Sequence, residues 1–489
     1  MMIEELSGIV GADRVSKEKA SLEAYASDNS FTEGCAPSAI VSPVNAEQVV
    51  EIINLAAREK AGLVPSSSAP PRFRGDTVPE REDSVVVDLT GMDRIIKINR
   101  RNKVALIEPG VTFGRLAREV AKEGLKVLMP LLPREGKSVV GSYLEREPIL
   151  IPKYHWDVTD PLLCAEVIFG TGDMFRTGSA AGPGDLEDQW ASERYQKNPM
   201  GPGQSDLIRV VQGARGTVGL VTWASVRLEP LPSASRTFIV AADSFGELLG
   251  LVYSMLRRKL GEEFLVLNGT DLAAIVGGDR EEIEELKGRL PPWSLIYRVA
   301  GFKYFPSDRV SYQVNDIGDL AGAEGLEPCR SLAGVSEEDI GGVLDGTSGE
   351  PYWKFGYLGG FADIFLIATL EMVPSFLELM EEEAKKAEYP SGNIGMYVQP
   401  IQQGRSCHVE FTLYYDEGDE GERQKVRGLC DSAIRRLMDS GGFFSRPFGP
   451  WCELPFDRCP DTAMLLGKIG KMLDPDGILN PGKIPYRVV

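Results

Sequence analysis

Between residues 38 and 128, short apolar runs alternate with longer segments whose apolar residues recur at helical spacing. That alternation restricts the first part of the chain to repeated strand–helix–strand units. Ser38-Ala39-Ile40-Val41 reads as a strand, and Ala46 to Ala56 carries a helical pattern. Strands are predicted at Gly62 to Pro65, Ser84 to Leu89 and Lys103 to Gly110. Phe113 to Glu123 reads as a helix with Leu116, Val120 and Ala121 on one face.

After Glu229-Pro230-Leu231-Pro232 the texture changes. Strand Thr237 to Ala241, helix Phe245 to Leu260 and strand-like runs Phe264 to Leu267 and Ser294 to Tyr304 form one pass. Strand Asp363 to Leu370, helix Val373 to Ala387 and strands Ile394 to Gln399 and Cys407 to Tyr415 form a second. Two such passes predict an antiparallel sheet with helices packed on one face. The Gly-, Ala- and Glu-rich residues 318–348 read as a surface excursion, and residues 178–205 as a long loop, functional or mobile. A chain of 489 residues with 43% hydrophobic content accommodates two cored domains. The expected division is 1–232, completed by 455–489, and 233–454.

The formal net charge of −19 excludes nucleic acid and argues against adsorption to anionic lipid. A well-solvated surface accounts for it. No stretch approaches the ~20 apolar residues that span a bilayer. Met1 to Ala24 is acidic and helical in character, unlike a signal peptide, so a cytoplasmic location is expected. The seven cysteines form no Cys-x-x-Cys pair, which argues against structural zinc or a Cys-ligated cluster. With only His155 and His408 in the chain, no metal site is expected.

Three segments are suited to holding a phosphorylated cofactor. Val64 to Thr77 leaves a strand through Pro65, Ser66, Ser67 and Ser68, then reaches Gly75, Asp76 and Thr77. Small residues after a strand expose backbone N–H groups that can cradle a pyrophosphate. Leu131 to Ser142 includes Ser138-Val139-Val140-Gly141-Ser142, which permits close backbone approach. In Asp206 to Thr222, Gly213, Gly216 and Gly219 permit a tight turn against a ligand. The last pattern alone fits an ordinary turn before a strand equally well.

Together these segments resemble the FAD-binding domain of the vanillyl-alcohol-oxidase/p-cresol-methylhydroxylase family, which includes glycolate-oxidase flavin subunits and D-lactate dehydrogenases. Val104-Ala105-Leu106-Ile107-Glu108-Pro109-Gly110-Val111 is similar to the family's strand ending in Glu-Pro-Gly-Val. Glu166 to Gly178 carries its Arg-Thr-Gly, and Gly213 to Thr222 its glycine-rich turn. Leu473-Asp474-Pro475-Asp476-Gly477-Ile478-Leu479-Asn480-Pro481-Gly482-Lys483-Ile484 resembles its C-terminal signature and is the most specific match.

The resemblance implies an α+β, two-domain PCMH-type FAD-binding fold with a C-terminal cap of antiparallel sheet plus helices. It implies FAD held by the first loop, by Pro133, Lys137, Ser138, Gly141 and Ser142, by Gly213, Gly216, Thr217, Gly219 and Val221, and by the returning Asn480. The first loop departs from the family: serines and prolines replace its glycines, leaving only Gly75.

Catalytic candidates are few. His408 and Glu410 share a strand face, as do Tyr397 and Gln399. His408 reads as an active-site base or equally as a hydrogen-bonded core histidine. His155, beside Trp156, reads as flavin-proximal or as a loop residue. Arg446, in the aromatic Phe444 to Trp451 loop, resembles a family arginine that pairs with reduced flavin or substrate. The leading expectation is an FAD-dependent dehydrogenase that oxidises a small alcohol, hydroxy acid or phenol by hydride transfer to flavin N5. The alternatives are a flavin subunit that passes electrons to a separate iron–sulfur protein, and a scaffold that lost FAD. Expected partners are a small-molecule substrate, such an electron-transfer subunit, and a homo- or hetero-oligomeric assembly, with no nucleic acid and no integral membrane segment.

Overall fold

The computed structural model of the chain describes residues 2–154, 160–192, 194, 196–201, 203 and 206–485. The first sheet runs, edge to edge, Val15–Ser16, Ala39–Val41, Val85–Asp88, Leu63–Ser66. Its last three strands are parallel. Val85, Val86 and Val87 are fully buried, as a β-branched run covered on both faces should be. Helix Ala46–Glu59 makes the crossover. The Asn45 side chain caps its start by accepting from Gln48 N, and Lys60 ends it in the left-handed region. Its Val49, Ile52, Ile53 and Ala56 pack with Leu6 and Val85.

A second, antiparallel sheet is ordered Ile95–Asn99, Val104–Ile107, Gly219–Pro230, Leu162–Phe169, Met174–Arg176, with Leu125–Val127 also on Gly219–Pro230. The C-terminal signature returns to the first sheet. Helix Pro460–Leu473 ends before it, and Leu479 forms a parallel bridge with Leu63. Leu63 N donates to Ile478 O at 2.7 Å, and Asn480 N to Leu63 O at 2.8 Å. The strand that launches the first loop is thereby tied to the end of the chain.

The third sheet is antiparallel and is built wholly from residues 234–416. Its order is Pro328–Cys329, Ala234–Ala242, Trp293–Gly301, Phe264–Asn268, Ile394–Ile401, Ser406–Asp416, Gly359–Ala368. One face packs on the long helices Phe245–Arg258, Pro306–Ala323, Val373–Lys386 and Glu420–Asp439.

The structure corrects several expectations here. Helices cover both faces of the sheet, not one. The second face carries Ile239, Leu265, Ile296, Tyr397 and Tyr414, and meets the shorter helices Gly269–Val276, Arg280–Lys287 and Glu337–Asp345 together with Leu131, Leu132 and Leu150 from the first half. Residues 318–348 are no mere surface excursion, because Ile340, Val343 and Leu344 bury one side of the helix Glu337–Asp345 in that core. Within 178–205, helix Leu186–Ala191 packs Leu186 and Trp190 beside Trp223. The strand expected to reach Tyr304 stops at Gly301.

Candidate active site

The first loop leaves strand Leu63–Ser66 and runs beside the second segment. Ser138 N donates to Ser68 Oγ at 3.0 Å. Ser138 Oγ donates to Pro109 O at 2.5 Å and accepts from Gly141 N at 2.9 Å. A Cβ on Gly141 would meet Ser67 Oγ at 3.0 Å. Serines thus do the bracing inside a loop from which the glycines are missing. Asn480, almost fully buried, donates to Asp76 O at 2.8 Å and to Arg215 O at 2.7 Å. Arg215 pairs with Asp76 and donates to Lys483 O at 2.7 Å. First loop, glycine turn and C-terminal signature converge here.

They enclose a cleft of about 1140 Å³, lined by Pro65 to Ser68, Asp76, Thr77, Lys137, Gly141, Gly213, Gly216, Gly219, Val221 and Asn480 among others. Five of the expected cofactor residues are placed elsewhere. Gly75 sits on Asp28, its N–H donating to Oδ2 at 2.6 Å. Pro133 lines a neighbouring cavity, while Ser138 acts from behind the loop. Ser142 donates to Glu147, and Thr217 Oγ1 donates to Ala214 O at 2.7 Å within its own turn. His155 lies outside the described residues.

The cleft fits FAD. The buried Asn480 Oδ1 on its wall has no partner among the described residues, so the wall holds an unanswered acceptor. Gly213 and Gly216 have φ of 73° and 77°, and a Cβ on Gly216 would come within 2.5 Å of Pro65 Cγ. Only glycine keeps that backbone bare against the cleft.

A second cavity, about 670 Å³, adjoins the first, and Phe73, Arg74, Arg134 and Lys137 line both. Its far wall is the second face of the large sheet. On strand Ser406–Asp416 the face carries His408, Glu410, Thr412 and Tyr414, and on Ile394–Ile401 it carries Tyr397 and Gln399. The register sets Tyr397 opposite Glu410 and Asp363 opposite Thr412. His408, Tyr397 and Arg446 are therefore brought together. Arg446 Nη2 meets His408 Nδ1 at 3.3 Å, and its guanidinium lies 4.2 Å from the Phe365 ring centroid. Arg74 lies over the same ring at 4.5 Å and forms an ion pair with Asp363 at 3.5 Å.

Both nitrogens of His408 are engaged. Nδ1 accepts from Arg446, which leaves the Nε2 proton to Glu410 at 3.2 Å. Burial pushes the imidazole down to about 4; the Glu410 hydrogen bond opposes this and Arg446 adds to it. The ring is neutral at physiological pH. Burial raises Glu410, but Lys354, His408 and Arg74 outweigh it and hold the carboxyl well below its usual range. Tyr397 is raised by burial and by Glu410, and its hydroxyl donates to Gln399 Oε1 at 2.9 Å.

Sequence reasoning missed Arg74, Lys354 and Asp363. It also missed Asp271, which sits behind this face and accepts from Tyr414 Oη at 2.9 Å. Burial pushes Asp271 up to about 7, with Lys354 opposing. A raised carboxyl favours the fold below the unfolded value near 3.8, and that contribution is lost as pH climbs through 7. A tenfold change in proton affinity on folding is worth about 1.4 kcal/mol. Asp271→Asn should therefore raise the thermal midpoint at pH 8 and leave it nearly unchanged at pH 4. Equal effects at both pH values, read by scanning calorimetry, would refute the assignment.

The comparisons with known proteins agree with this geometry. A family model described as FAD binding domain matches residues 37–178. A D-2-hydroxyglutarate dehydrogenase from Stutzerimonas stutzeri is 24% identical over 99% of this chain and 98% of its own length. The 4-cresol dehydrogenase flavoprotein subunit of Pseudomonas putida is 25% identical over 51% of this chain and 46% of its own. The crystal structure of p-cresol methylhydroxylase with substrate bound superposes with a TM-score of 0.80 at 19% identity, covering 99% of this chain and 96% of that one. Residues 37–178 thus carry an FAD-binding domain, and the whole chain shares the fold of p-cresol methylhydroxylase. Its cofactor is FAD and it is an FAD-linked oxidoreductase. Among the described residues, no helix is long and apolar enough to cross a membrane, and no three His, Cys, Asp or Glu side chains are grouped to hold a metal.

Proposed function

We propose that this oxidoreductase is a dehydrogenase that takes hydride from a small hydroxylated substrate with an acidic oxygen, a hydroxy acid or a phenol. The carrying observation is the second cavity. It shares a wall with the FAD cleft and sets Arg74, Arg134, Lys354 and Arg446 around Tyr397 and Glu410. The cations anchor an anionic oxygen by charge-assisted hydrogen bonds. Phe73, Tyr352 and Phe361 give the cavity an apolar side. FAD, when bound, supplies the two-electron acceptor. Pro65 to Ser68, Asp76, Thr77, Gly141, Gly213, Gly216 and Asn480 would hold it. Glu410 takes the hydroxyl proton, Tyr397 steers the same oxygen, and His408 acts by orienting Glu410. Residues 1–232 with 455–489 serve as the flavin domain, and 233–454 as the cap that closes over the substrate.

The test is anaerobic mixing of the purified holoprotein with D-2-hydroxyglutarate, D-lactate, glycolate and 4-cresol. At least one should bleach the oxidised flavin band. If none does, and chemically reduced flavin forms normally, the reading is wrong. The likeness to a flavoprotein subunit supports a further chain as electron acceptor. Iron assay of the natively purified complex decides whether that chain is an iron–sulfur protein. All seven cysteines are unpaired, which supports a reducing, cytoplasmic setting.

We expect the FAD to be noncovalent. His408 is occupied on both ring nitrogens by Arg446 and Glu410, so it offers no free nitrogen for attachment. Acid precipitation should release the yellow colour to the supernatant, and colour retained in the pellet would overturn this.

A further inference from the structure

We propose that Lys354 is a positioning residue that holds Glu410 in place, aimed into the substrate cavity, to receive the substrate's hydroxyl proton. The inference rests on the function proposed above and adds a residue to it.

Lys354 lies in the short 3-10 turn Trp353–Phe355, just ahead of strand Gly359–Ala368. Its side chain is 4% exposed, yet it lines the cavity. Nζ donates to Asp363 Oδ1 at 2.7 Å and to Glu410 Oε1 at 2.7 Å. These carboxylates belong to neighbouring strands, where Asp363 pairs with Thr412 and Phe365 with Glu410. Two like charges so close and so buried repel strongly, and a shared ammonium between them offsets this. An ammonium has three protons. Two are committed, which fixes the head group and with it one oxygen of Glu410. The other oxygen faces His408 Nε2 at 3.2 Å, so the carboxylate is gripped from both ends.

The remaining charged and titratable neighbours of Glu410 come from every side. Arg74 comes from the first loop and Arg446 from the aromatic loop. Asp363 and Asp271 add negative charge, and Tyr352 and Tyr397 are neutral phenols. Lys354 is the largest of the forces that keep Glu410 ionised. The step is a simple proton transfer. The substrate O–H bond breaks, its electron pair stays on oxygen, and the proton bonds to a Glu410 oxygen. Oxidation of the adjoining carbon is then the two-electron chemistry already assigned.

Two readouts test this. In the holoprotein, infrared titration should show no protonated-carboxyl band from Glu410 at pH 7. Lys354→Met should acquire one, and the double variant Lys354→Met/Glu410→Gln should lose it again. In stopped flow with the donor that reduces the parent, Lys354→Met should slow flavin reduction roughly a hundredfold at pH 7. Its rate should recover as pH rises, because a Glu410 left without its cation ionises only at higher pH. A purely structural lysine would not shift that limb. Should Lys354→Met fail to fold, Glu410→Gln removes the acceptor and leaves the lysine its Asp363 partner. Parent-like reduction by Glu410→Gln overturns the proposal, as does a Lys354→Met protein with neither the new band nor a moved pH limb. If none of the four donors reduces the parent, the function reading fails instead, and the infrared titration alone decides whether Lys354 sets the charge of Glu410.

Discussion

Gly216→Asp should yield a folded protein that binds no FAD. Gly216 has φ of 77°, a region where an L residue costs about 1–2 kcal/mol. Its Cβ would lie 2.5 Å from Pro65 Cγ, near the end of strand Leu63–Ser66 from which the first loop departs. The residue lines the cleft next to Asn480, so a carboxylate there adds bulk and negative charge to the wall proposed to hold the flavin's pyrophosphate. Gly216→Ala separates the two effects. It meets Pro65 as the aspartate does but brings no charge, so it should keep part of the flavin. The measurements are the flavin-to-protein absorbance ratio and far-ultraviolet circular dichroism. Stoichiometric FAD in the folded aspartate variant would remove Gly216 from the cofactor site.

The fold was legible where local pattern decides structure. Ala39–Val41, Val85–Asp88 and Leu63–Ser66 are short β-branched or apolar runs whose burial follows from composition. The C-terminal signature was legible as a motif. Its physical work, completing the edge of the first sheet beside Leu63, follows only from three-dimensional pairing. Helix Glu337–Asp345 went unread because its glycines and acids mask an apolar stripe at Ile340, Val343 and Leu344. The same-face pairs His408–Glu410 and Tyr397–Gln399 were readable from strand period alone. Lys354 and Asp363 were not, since a turn lysine and a strand aspartate become partners only when antiparallel register sets Asp363 beside Thr412. Arg74 was hidden for a different reason. It lies in a loop that reads as a phosphate cradle, while its side chain reaches across to Asp363 and to the Phe365–Phe448 stack.

That stack gives Arg446→Ala its expected consequence. The guanidinium is buried on the Phe365 ring with its Nη2 on His408 Nδ1, and it lines the second cavity, proposed to take the substrate. Burial and the nearby Arg74 push it down to about 10, which leaves it charged throughout the physiological range. Near the FAD cleft, that charge favours an anionic substrate and any negative charge that grows on the cofactor side as electrons arrive. A charge-assisted pair is worth on the order of 1.5–3 kcal/mol, about a factor of ten to a hundred in rate if it forms only in the transition state. Arg446→Ala should keep its FAD, because the residue does not line the larger cleft. Flavin reduction should slow by that factor, and the midpoint potential should fall, since a lost positive neighbour makes reduction harder. His408 should also become easier to protonate, because Arg446 is one of the charges that holds it down. A variant that matches the parent in occupancy, reduction rate and potential would show that the arginine serves only the packing of Phe365, and the anion-binding role would pass to Arg74 and Arg134.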